Sequence, residues 1–499
     1  MTLQLHTPEL AANWLRERVT GSLSTDSRKL GKGDGFVAWP GAATDGRQYV
    51  AAALAAGAAA CLVEHEGAAV YAFDDERVVT YAGLKAATGP IASAYFGAPS
   101  RQLQVLAVTG TNGKTSTAWW LAQALGRLGR KCGVVGTLGI GEPGAMVFNG
   151  LTTPDPVLLQ QQLRRFVDEG FSACALEASS VGLVERRLDA TFVQVAIFTN
   201  FTQDHLDYHP SMQAYWEAKE MLFGWPGLKV AVINTDDAKG IELAASLADS
   251  SLDVWTFSCE RPARLQARDI HHGAQTMSFD VVEGAQCRRI STHLVGQYNV
   301  SNLLGVMAAL RAMGLPLADA VSACADLLPV PGRMEIIAMK DLPLVVIDYA
   351  HTPDALEKVL MALKPAALNR GGQLWCVFGC GGDRDASKRS LMAAVAESHA
   401  DQVVLTSDNP RSENPLAIIG QVLLGLSHRD AVRVQADRAA AIDHALSLAQ
   451  PQDVVLLAGK GHEDYQEVGG VKLPFSDRTQ AQAALDAMLA SRQVGGRIA

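Results

Sequence analysis

The chain lacks the long apolar run that a membrane-spanning helix requires. Its richest apolar stretch, residues 49–63, consists largely of alanine and contains Gly57. It is shorter than the roughly 20 residues that cross a bilayer. The N-terminal segment MTLQLHTPELAANWLRERV carries an acidic residue where a secretory signal has basic ones, and it has no unbroken apolar core. Neither a membrane protein nor a secreted protein is expected.

Cysteine and positive charge are also scarce. The eight cysteines are scattered, and only Cys376 and Cys380 lie close together, which fits neither a disulfide framework nor a zinc-binding motif. The formal net charge of −9 provides no basic surface for nucleic acid. We therefore expect a cytoplasmic protein that binds neither nucleic acid nor membrane.

What the chain does have is length and regular patterning. Its 499 residues exceed what one hydrophobic core holds, so about three domains are expected. Gly and Pro clusters at 89–90, 97–100 and 329–332 suggest the boundaries. The predicted domains are residues 1–88, 89–331 and 332–499.

Apolar strand patterns alternate with helical patterns along most of the chain. Such alternation is typical of α/β proteins with mostly parallel sheets. We expect a small N-terminal α/β unit followed by two further α/β series. The predicted strands lie at 35–39, 59–64, 132–138, 172–177, 192–200, 229–234, 344–347, 373–378, 402–405 and 454–457.

A phosphate-binding loop is indicated at Thr109–Thr115, which reads TGTNGKT. Mostly apolar residues 103–108 precede it and an apolar helical pattern follows, the order seen in nucleotide triphosphate sites. Glycines allow backbone N–H groups to crowd an anion, and the helix N-terminus adds partial positive charge. Lys114 would contact the β- and γ-phosphates, and the Thr115 hydroxyl would contact Mg²⁺. Position 108 is Val where the generic motif has its first glycine.

Polar or glycine-rich segments follow the predicted strands. Ligands of open α/β sheets bind at the carboxyl ends of strands, although ordinary turns also favour Gly, Asp and Asn. Because the segments recur, we interpret them as two ligand-binding sheet edges. They are EASS at 177–180, TQDHLDYH at 202–209, DYAH at 348–351, GCGGDRD at 379–385, TSDNPR at 406–411 and GKGHE at 459–463.

Several side chains in the central part suit metal or nucleotide binding. Glu177, on a strand expected beside the phosphate-loop strand, suits a magnesium ligand or a residue that positions water. The segment Asp204–His209 places four ligand side chains within six residues. Histidine is an unusual ligand for Mg²⁺ but an acceptable one for Mn²⁺ or a second metal. Lys219 is interpreted as a surface lysine, and Asn299 and Asn302 suit either a helix cap or a hydrogen bond to a base edge.

The order of these motifs resembles that of the Mur ligases, the ATP-dependent amide-bond-forming enzymes of peptidoglycan precursor synthesis. The resemblance covers nearly the whole chain, and Val108 belongs to the family's form of the loop. The shared motifs are TGTNGKT, the Glu177 strand end, DHLDYH, GQYNVSN at 296–302, PGR at 331–333 and DYAHTPD at 348–354. Within the family, TDSR at 25–28, TTPD at 152–155, GCGGDRD and DNPR resemble the members that add meso-2,6-diaminopimelate to UDP-N-acetylmuramoyl-L-alanyl-D-glutamate.

The resemblance implies an N-terminal UDP-binding domain, a central ATPase domain and a C-terminal Rossmann-like domain that receives the amino acid. It also implies two Mg²⁺ ions. One would be held by the ATP phosphates, Thr115 and Glu177. The other would be held by His205 and Lys219, the latter carboxylated by CO₂ into an anion. With Lys114, these residues would form the catalytic centre.

Further ligand contacts are implied residue by residue. ATP would contact Gly110, Thr111, Asn112, Gly113, Lys114, Thr115, Ser116, Asn299, Arg333 and Asp348. The nucleotide-sugar peptide would contact Thr25, Ser27, Ala42, Ala43, Thr44, Thr152, Thr153, Ser179, Glu185 and Arg187. Diaminopimelate would contact Arg384, Asp408, Asn409, Pro410, Arg411, Gly459 and Glu463. Val181 and Glu185 depart from the family pattern, which has histidine and glutamine there, and an acid at 185 is unfavourable beside a pyrophosphate.

Arg411 is expected to decide which amino acid is accepted. Its planar guanidinium can bind bidentately the distal carboxylate that distinguishes diaminopimelate from lysine. Asp408, Asn409 and Glu463 would pair with the distal ammonium. Lysine would leave a buried guanidinium unpaired, and sites of this kind reject such analogues by about 10⁴-fold or more.

The implied reaction activates the D-glutamyl γ-carboxylate as an acyl phosphate, which the amine of the incoming amino acid then attacks. Two enzymatic alternatives are a lysine-adding ligase of the same branch and an enzyme similar to folylpolyglutamate synthetase, which shares the ATPase core. An alternative from a different class is an ATP-gated regulatory protein. A monomer is expected.

Overall fold

The structure, a computed structural model, describes residues 2–41, 44–272 and 276–495. Ala42 and Ala43, both predicted to contact the nucleotide sugar, lie outside the described residues. The helices are α1 Pro8–Arg18, α2 Val50–Ala55, α3 Leu84–Tyr95, α4 Lys114–Arg127, α5 Pro156–Asp168, α6 Ser180–Val184, α7 Met212–Glu220, α8 Ala238–Ser246, α9 Gln297–Ala312, α10 Leu317–Ala325, α11 Pro353–Asn369, α12 Lys388–His399, α13 Pro415–Leu423, α14 Arg438–Leu448 and α15 Asp477–Gly495.

The strands are short and mostly buried. They are β1 Gln4–Leu5, β2 Leu23–Ser24, β3 Gly35–Ala38, β4 Ala60–Glu64, β5 Val78–Tyr81, β6 Gln104–Thr109, β7 Cys132–Gly136, β8 Gly139–Glu142, β9 Ala145–Val147, β10 Ala173–Glu177, β11 Val195–Phe198, β12 Val230–Asn234, β13 Asp253–Ser258, β14 Leu265–His272, β15 Met277–Glu283, β16 Gln286–Thr292, β17 Glu335–Ile337, β18 Leu344–Asp348, β19 Leu374–Phe378, β20 Gln402–Leu405, β21 Arg433–Val434, β22 Val454–Ala458, β23 Tyr465–Val468 and β24 Val471–Pro474.

The N-terminal strands form a parallel sheet in the order β1-β5-β4-β3-β2. Helix α3 packs next to it and runs across the division predicted between residues 88 and 89. Gly89 lies within this helix, where a Cβ atom would collide with the backbone carbonyl of Asp189. Here glycine permits close packing of α3 on the central part of the chain. The division into three domains therefore remains a proposal.

The central sheet follows the order β16-β15-β14-β13-β12-β11-β6-β10-β7-β8-β9. Strand β6 lies between β11 and β10 and is parallel to both. Its side chains alternate between two cores, with Val105 and Ala107 in one and Leu106 and Val108 in the other. The phosphate-loop sequence therefore begins at the carboxyl end of a strand that is buried on both faces.

Antiparallel strands at both ends of this sheet were not predicted. β14, β15 and β16 form a meander, and β8 and β9 form a hairpin on β7. Met277, Phe279 and Val281 are buried and alternate with less buried residues. This period of two is the sequence signal of a half-buried strand.

The C-terminal sheet follows the order β17-β18-β22-β19-β20-β21, with only β17 antiparallel among these described strands. Strands β18, β22, β19 and β20 are neighbours, so the segments after them share one sheet edge. The predicted α/β class with mostly parallel sheets is confirmed. No helix in the described ranges combines the length and apolarity needed to cross a membrane.

Candidate active site

The loop between β6 and α4 has the backbone geometry of an anion cradle. Gly110 and Gly113 have φ angles of 144° and 85°, conformations that disfavour other residues. A Cβ atom at Gly110 would collide with Thr199, and one at Gly113 would collide with Asn302. Gly113 is the N-cap of α4 and has no side chain, so the N–H groups of the first helical turn are open to an anion.

Two lysines share one carbonyl of this loop. The Lys114 ammonium donates to the carbonyl oxygens of Gly110 at 2.9 Å and Thr111 at 2.8 Å. Lys219 donates to the same Gly110 oxygen at 2.7 Å and is only 1% exposed, so the interpretation as a surface lysine is wrong. Burial lowers the pKa of Lys114, and burial together with the nearby Lys114 cation lowers the pKa of Lys219 well below its usual value. The loop therefore brings two amines together whose charged forms are disfavoured by burial.

Glu177 joins the loop to the neighbouring strands. It is fully buried, and its carboxylate accepts hydrogen bonds from the Thr115 hydroxyl at 3.0 Å and the Thr137 N–H at 2.8 Å. The Thr137 hydroxyl also donates to Glu177 at 3.2 Å. Thr137 was not predicted, since a single threonine after a strand carries no distinctive signal. Thr115 and Glu177 thus present hard oxygen donors side by side, the type that Mg²⁺ prefers.

The segment Asp204–His209 lies beside this loop. Asp204 Oδ2 is 3.6 Å from His205 Nε2 and 3.8 Å from His351 Nε2, and Asp204 Oδ1 is 3.5 Å from Lys388 Nζ. Burial lowers the pKa of His205 to about 4, so at neutral pH its imidazole is uncharged and carries a lone pair.

A complete metal site made only of protein side chains is missing from the described ranges. Within them, no group of three or more His, Cys, Asp or Glu side chains is arranged to hold a metal ion. A metal bound at Thr115 and Glu177 would need further ligands, such as phosphate oxygens.

Residues predicted to contact phosphate and ribose approach the loop from the C-terminal sheet. Arg333 donates to the Thr115 hydroxyl at 3.4 Å, and its guanidinium lies 4.2 Å from the centroid of the Tyr349 ring. The Asp348 carboxylate accepts hydrogen bonds from the backbone N–H groups of Met334 at 2.7 Å and Ala350 at 2.8 Å. Burial raises the pKa of Asp348. Asp348 thereby fixes the backbone that carries Arg333.

Neither asparagine of the pair Asn299 and Asn302 caps the helix, so the cap, one of the two roles that the sequence suited, is wrong. Helix α9 begins after Gly296, which is its N-cap. Asn299 donates to the Val295 carbonyl at 2.7 Å and accepts a hydrogen bond from Asn302 at 3.2 Å. Since Asn302 also lies against Gly113, this pair packs directly behind the phosphate loop.

Some of the residues predicted to bind the nucleotide sugar come together near Glu177. Thr153 bonds to the Glu177 carbonyl at 2.7 Å and to the Ser179 hydroxyl at 2.9 Å, and Arg187 donates to the Thr153 carbonyl at 3.0 Å. The Thr152 hydroxyl is 3.0 Å from the Thr137 hydroxyl. Three further members of this predicted group, Thr25, Ser27 and Thr44, lie in the N-terminal part of the chain.

Glu185 has partners other than the predicted substrate. Its carboxylate accepts hydrogen bonds from Lys85 of α3 at 2.7 Å and from Tyr208 at 2.6 Å. Hydrogen bonding from Lys85 and then from Tyr208 lowers its pKa, so the group is an anion in the neutral range. Glu185 thus links α3 to the Asp204–His209 segment.

The residues predicted to bind diaminopimelate gather at the edge of the C-terminal sheet. Asn409 donates to Glu463 at 2.8 Å, and a Cβ atom at Gly459 would lie 2.6 Å from Asp408. Arg411, at φ 52°, donates to the Gly382 carbonyl at 2.7 Å. The remaining member of this group on the same segment is Pro410, which is buried.

Arg411 is less isolated than predicted. Its side chain is 20% exposed, and its Nε atom is 3.6 Å from Glu467 Oε2. The expectation of a buried guanidinium that lacks a partner without the ligand is therefore wrong. Arg384 reaches across to the central part, where it lies 3.6 Å from Asp207.

Three family models match the chain. "Mur ligase family, catalytic domain" matches residues 20–95, "Mur ligase middle domain" matches residues 108–310, and "Mur ligase, glutamate ligase domain" matches residues 332–461. Together they cover most of the N-terminal, central and C-terminal sheets.

Similar proteins of nearly equal length carry a common name. A UDP-N-acetylmuramoyl-L-alanyl-D-glutamate–2,6-diaminopimelate ligase of Acidovorax sp. (strain JS42) is 59% identical over 96% of this chain and 97% of its own length. A ligase of the same name from Janthinobacterium sp. (strain Marseille) is 48% identical over 95% and 96%. A solved structure with this name is 35% identical, with a TM-score of 0.64 and coverage of 94% and 95%.

Proposed function

Because this chain belongs to the Mur ligase family, and within it to the diaminopimelate-adding branch MurE, we propose that it joins meso-2,6-diaminopimelate to UDP-N-acetylmuramoyl-L-alanyl-D-glutamate with cleavage of ATP to ADP and phosphate. The observation that carries this proposal is the 59% identity to a ligase of that name along 96% of the chain. The reaction belongs to peptidoglycan precursor synthesis.

The proposed reaction proceeds in two steps. The D-glutamyl γ-carboxylate attacks the γ-phosphorus of ATP, which gives an acyl phosphate and ADP. The amine of diaminopimelate then attacks the acyl carbon, and phosphate leaves from a tetrahedral intermediate. Lys114 would turn from the loop carbonyls to the phosphates, and Arg333 would add a second cation beside Thr115. These charges offset the repulsion between two anions and position them for reaction.

The donors near the loop fit the two proposed Mg²⁺ ions. Thr115 and Glu177 supply oxygens 3.0 Å apart for the first. His205 is a neutral imidazole, and the buried Lys219 amine has a lowered pKa, which favours the uncharged form that reacts with CO₂. A carbamate at Lys219 would also end the repulsion between this residue and Lys114. When bound, the metal ions neutralise phosphate charge.

One assay tests the function and its alternatives. The protein is incubated with ATP, Mg²⁺, UDP-N-acetylmuramoyl-L-alanyl-D-glutamate and either diaminopimelate or lysine, and the product is weighed by mass spectrometry. We expect the mass gain of one diaminopimelate residue and little product with lysine. A lysine product would favour the lysine-adding alternative. Phosphate release without any mass gain would favour an ATP-gated regulator.

Location and assembly remain expectations. A cytoplasmic location is supported by the eight cysteines, which are all free thiols, since disulfides are rare in a reducing compartment. We expect a monomer, which light scattering during gel filtration measures directly. A dimer mass at micromolar concentration would contradict it.

A further inference from the structure

Lys460 is a buried cation inside the predicted amino-acid site. It follows strand β22 and its side chain is 0% exposed. The ammonium donates to Asn409 Oδ1 at 3.0 Å and to Glu463 Oε2 at 2.8 Å. A buried ammonium is strongly unfavourable unless it is paired and hydrogen-bonded. Both partners therefore belong to one network with Lys460.

This network fixes the orientation of the Asn409 amide. An ammonium only donates hydrogen bonds, so the Asn409 atom that faces Lys460 must be the oxygen. The same oxygen accepts the N–H of Glu467 at 3.0 Å, and the amide nitrogen donates to Glu463 at 2.8 Å. Since an amide oxygen has two lone pairs, it has no capacity left for a ligand's ammonium. What Asn409 can still offer is an N–H group, which suits a carboxylate and not the distal ammonium that Asn409 was expected to bind.

Lys460 also compensates the negative charge of two neighbouring carboxylates, Asp408 and Glu463. Asp408 is 8% exposed and lies near Glu463, whose pKa is raised by burial first and by the Asp408 charge second. Lys460 acts in the opposite direction and favours the ionised form of Glu463. The titratable and charged groups that face Glu463 are Asp408, Lys460, Arg438 and Tyr349. Of these, Arg438 is already paired with Asp477 at 2.7 Å, so Lys460 is the cation in direct hydrogen-bond contact with Glu463.

We propose that Lys460 is a positioning residue that determines the polarity of the amino-acid site. It keeps Asp408 and Glu463 available together for the ligand's ammonium, and it orients the Asn409 amide so that the nitrogen, which donates one hydrogen to Glu463, keeps its second hydrogen for the ligand's carboxylate. The proposal rests on the proposed function, because it takes diaminopimelate as the ligand whose distal centre carries both groups. Lys460 itself contacts the network and not the ligand.

The first test replaces Lys460 by Met or Arg and measures the KM for diaminopimelate and for ATP between pH 6 and 9. For Lys460→Met we expect a rise in the KM for diaminopimelate of about 10- to 100-fold, with the KM for ATP unchanged. The acid limb of the diaminopimelate profile should move to higher pH, because Glu463 beside Asp408 then takes up a proton more readily. Lys460→Arg should restore part of the affinity. Adding Glu463→Gln to Lys460→Met should abolish the pH shift.

A matched control is Lys472→Met. Lys472 lies over the same Tyr465 ring as Lys460 but is exposed on strand β24. It should behave as the wild type. A Lys460→Met protein with an unshifted pH profile would overturn the proposal, even if its melting temperature falls. A wild type that forms no product with diaminopimelate would instead refute the proposed function.

A second variant covers the case in which Lys460→Met does not fold. Asn409→Asp has the same shape and keeps an oxygen for Lys460, but it replaces the whole NH₂ group, both the N–H that donates to Glu463 and the remaining N–H, by a second oxygen. We expect the ratio of diaminopimelate ligation to lysine ligation to fall by about tenfold or more. An unchanged ratio would overturn the assignment of Asn409 to the carboxylate.

Discussion

At the scale of single residues, we propose that Arg411 decides how sharply lysine is excluded. The Arg411 guanidinium donates to the Gly382 carbonyl, and its Nε atom lies 3.6 Å from Glu467 Oε2. Its positive charge is therefore partly compensated before a ligand binds. Lysine would therefore not leave a wholly unpaired guanidinium. The discrimination should fall below the 10⁴-fold order typical of sites that leave a polar group unsatisfied.

The first prediction concerns Arg411→Ala. We expect kcat/KM for diaminopimelate to fall by about 10²- to 10³-fold, because a charge-assisted bidentate pair is lost. The KM for ATP should stay unchanged. Arg429→Ala, at an exposed position of the same domain, serves as the control and should match the wild type. Equal rates for Arg411→Ala and wild type with diaminopimelate would contradict the assignment.

The second prediction concerns Glu177→Gln. The amide keeps the shape but places an NH₂ group against donors from Thr115 and Thr137. We expect the ligation rate to fall by about 10²-fold or more, with a higher Mg²⁺ concentration needed for half-maximal rate. Titration of the rate with Mg²⁺ measures this. Glu169→Gln, at a half-exposed surface position, should show the wild-type Mg²⁺ dependence.

The third prediction concerns acid stability and Asp45. Hydrogen bonds from Arg47 lower the Asp45 pKa to about 2 from the ordinary 3.8. The pair contributes stability above pH 3.8, which is lost as the pH falls towards 2. We expect Asp45→Asn to lower the free energy of unfolding by roughly 1–2 kcal/mol at pH 7, after allowance for partial exposure. Urea unfolding from pH 2 to 7 should show the two proteins converging in acid, and a constant difference would refute this.

Local sequence pattern predicted residues whose neighbours carry a motif and missed those whose role depends on distant parts of the chain. Lys219 entered the predicted metal site only through the family resemblance. Lys114 could be singled out because it follows a strand and a glycine-bearing loop, and Glu177 because it ends a strand. Lys219 was interpreted as a surface lysine because its partner, the Gly110 carbonyl, is 109 positions away. Lys460 was missed since a lysine between two glycines resembles a turn, and its partner Asn409 is 51 positions away.

At the scale of elements, the phosphate loop and helix α4 allow a matched pair of glycine substitutions. We expect Gly113→Ala to lower the free energy of unfolding by about 1–3 kcal/mol and to weaken ATP binding, because φ is 85° and the new Cβ would meet Asn302. Gly126→Ala, at an exposed position with open space in the same helix, should stabilise by about 0.5–1 kcal/mol.

Thermal or urea unfolding and ATP calorimetry measure both glycine variants. If Gly113→Ala bound ATP like the wild type, the close approach of the loop to Asn302 would not matter for binding. If Gly126→Ala were destabilising, the assignment of its position to an open helix surface would be wrong.

Most parallel strands were predictable because both faces are buried, which gives short continuous apolar runs. The meander β14 to β16 carries a different signal, since its side chains alternate between core and solvent. Helix α3 was missed at Gly89 and Pro90, residues that usually end helices. There, tertiary packing against Asp189 overrides the local preference.

At the scale of the whole molecule, contacts between sheets converge on the site. Asn112 of the loop donates to Asp354 of α11 at 2.9 Å, and Lys388 of α12 is 3.5 Å from Asp204. On the other side, Lys85 of α3 reaches Glu185. Helices of the N-terminal and C-terminal parts therefore both contact the central part beside the ligand-binding edge of its sheet.

The last prediction tests the C-terminal contact. Asp354→Ala removes a hydrogen bond that crosses to the loop, whereas Glu357→Ala on the same helix removes only a contact with His399 within the C-terminal part. We expect a larger radius of gyration for the ligand-free Asp354→Ala protein in small-angle X-ray scattering, because a contact that limits hinge motion is gone. Glu357→Ala should scatter like the wild type, and identical profiles for all three proteins would refute the role of this contact.

Lys114 and Lys219 share the Gly110 carbonyl as a hydrogen-bond acceptor. The loop therefore competes with a bound phosphate for hydrogen bonds from Lys114. The Lys114 ammonium must give up its bonds to the loop when a phosphate arrives and regains them when the phosphate departs. Part of the attraction between lysine and nucleotide is thereby cancelled, for ADP as well as for ATP. Rapid turnover benefits from this, since an enzyme that holds its spent nucleotide less tightly is sooner free for the next one.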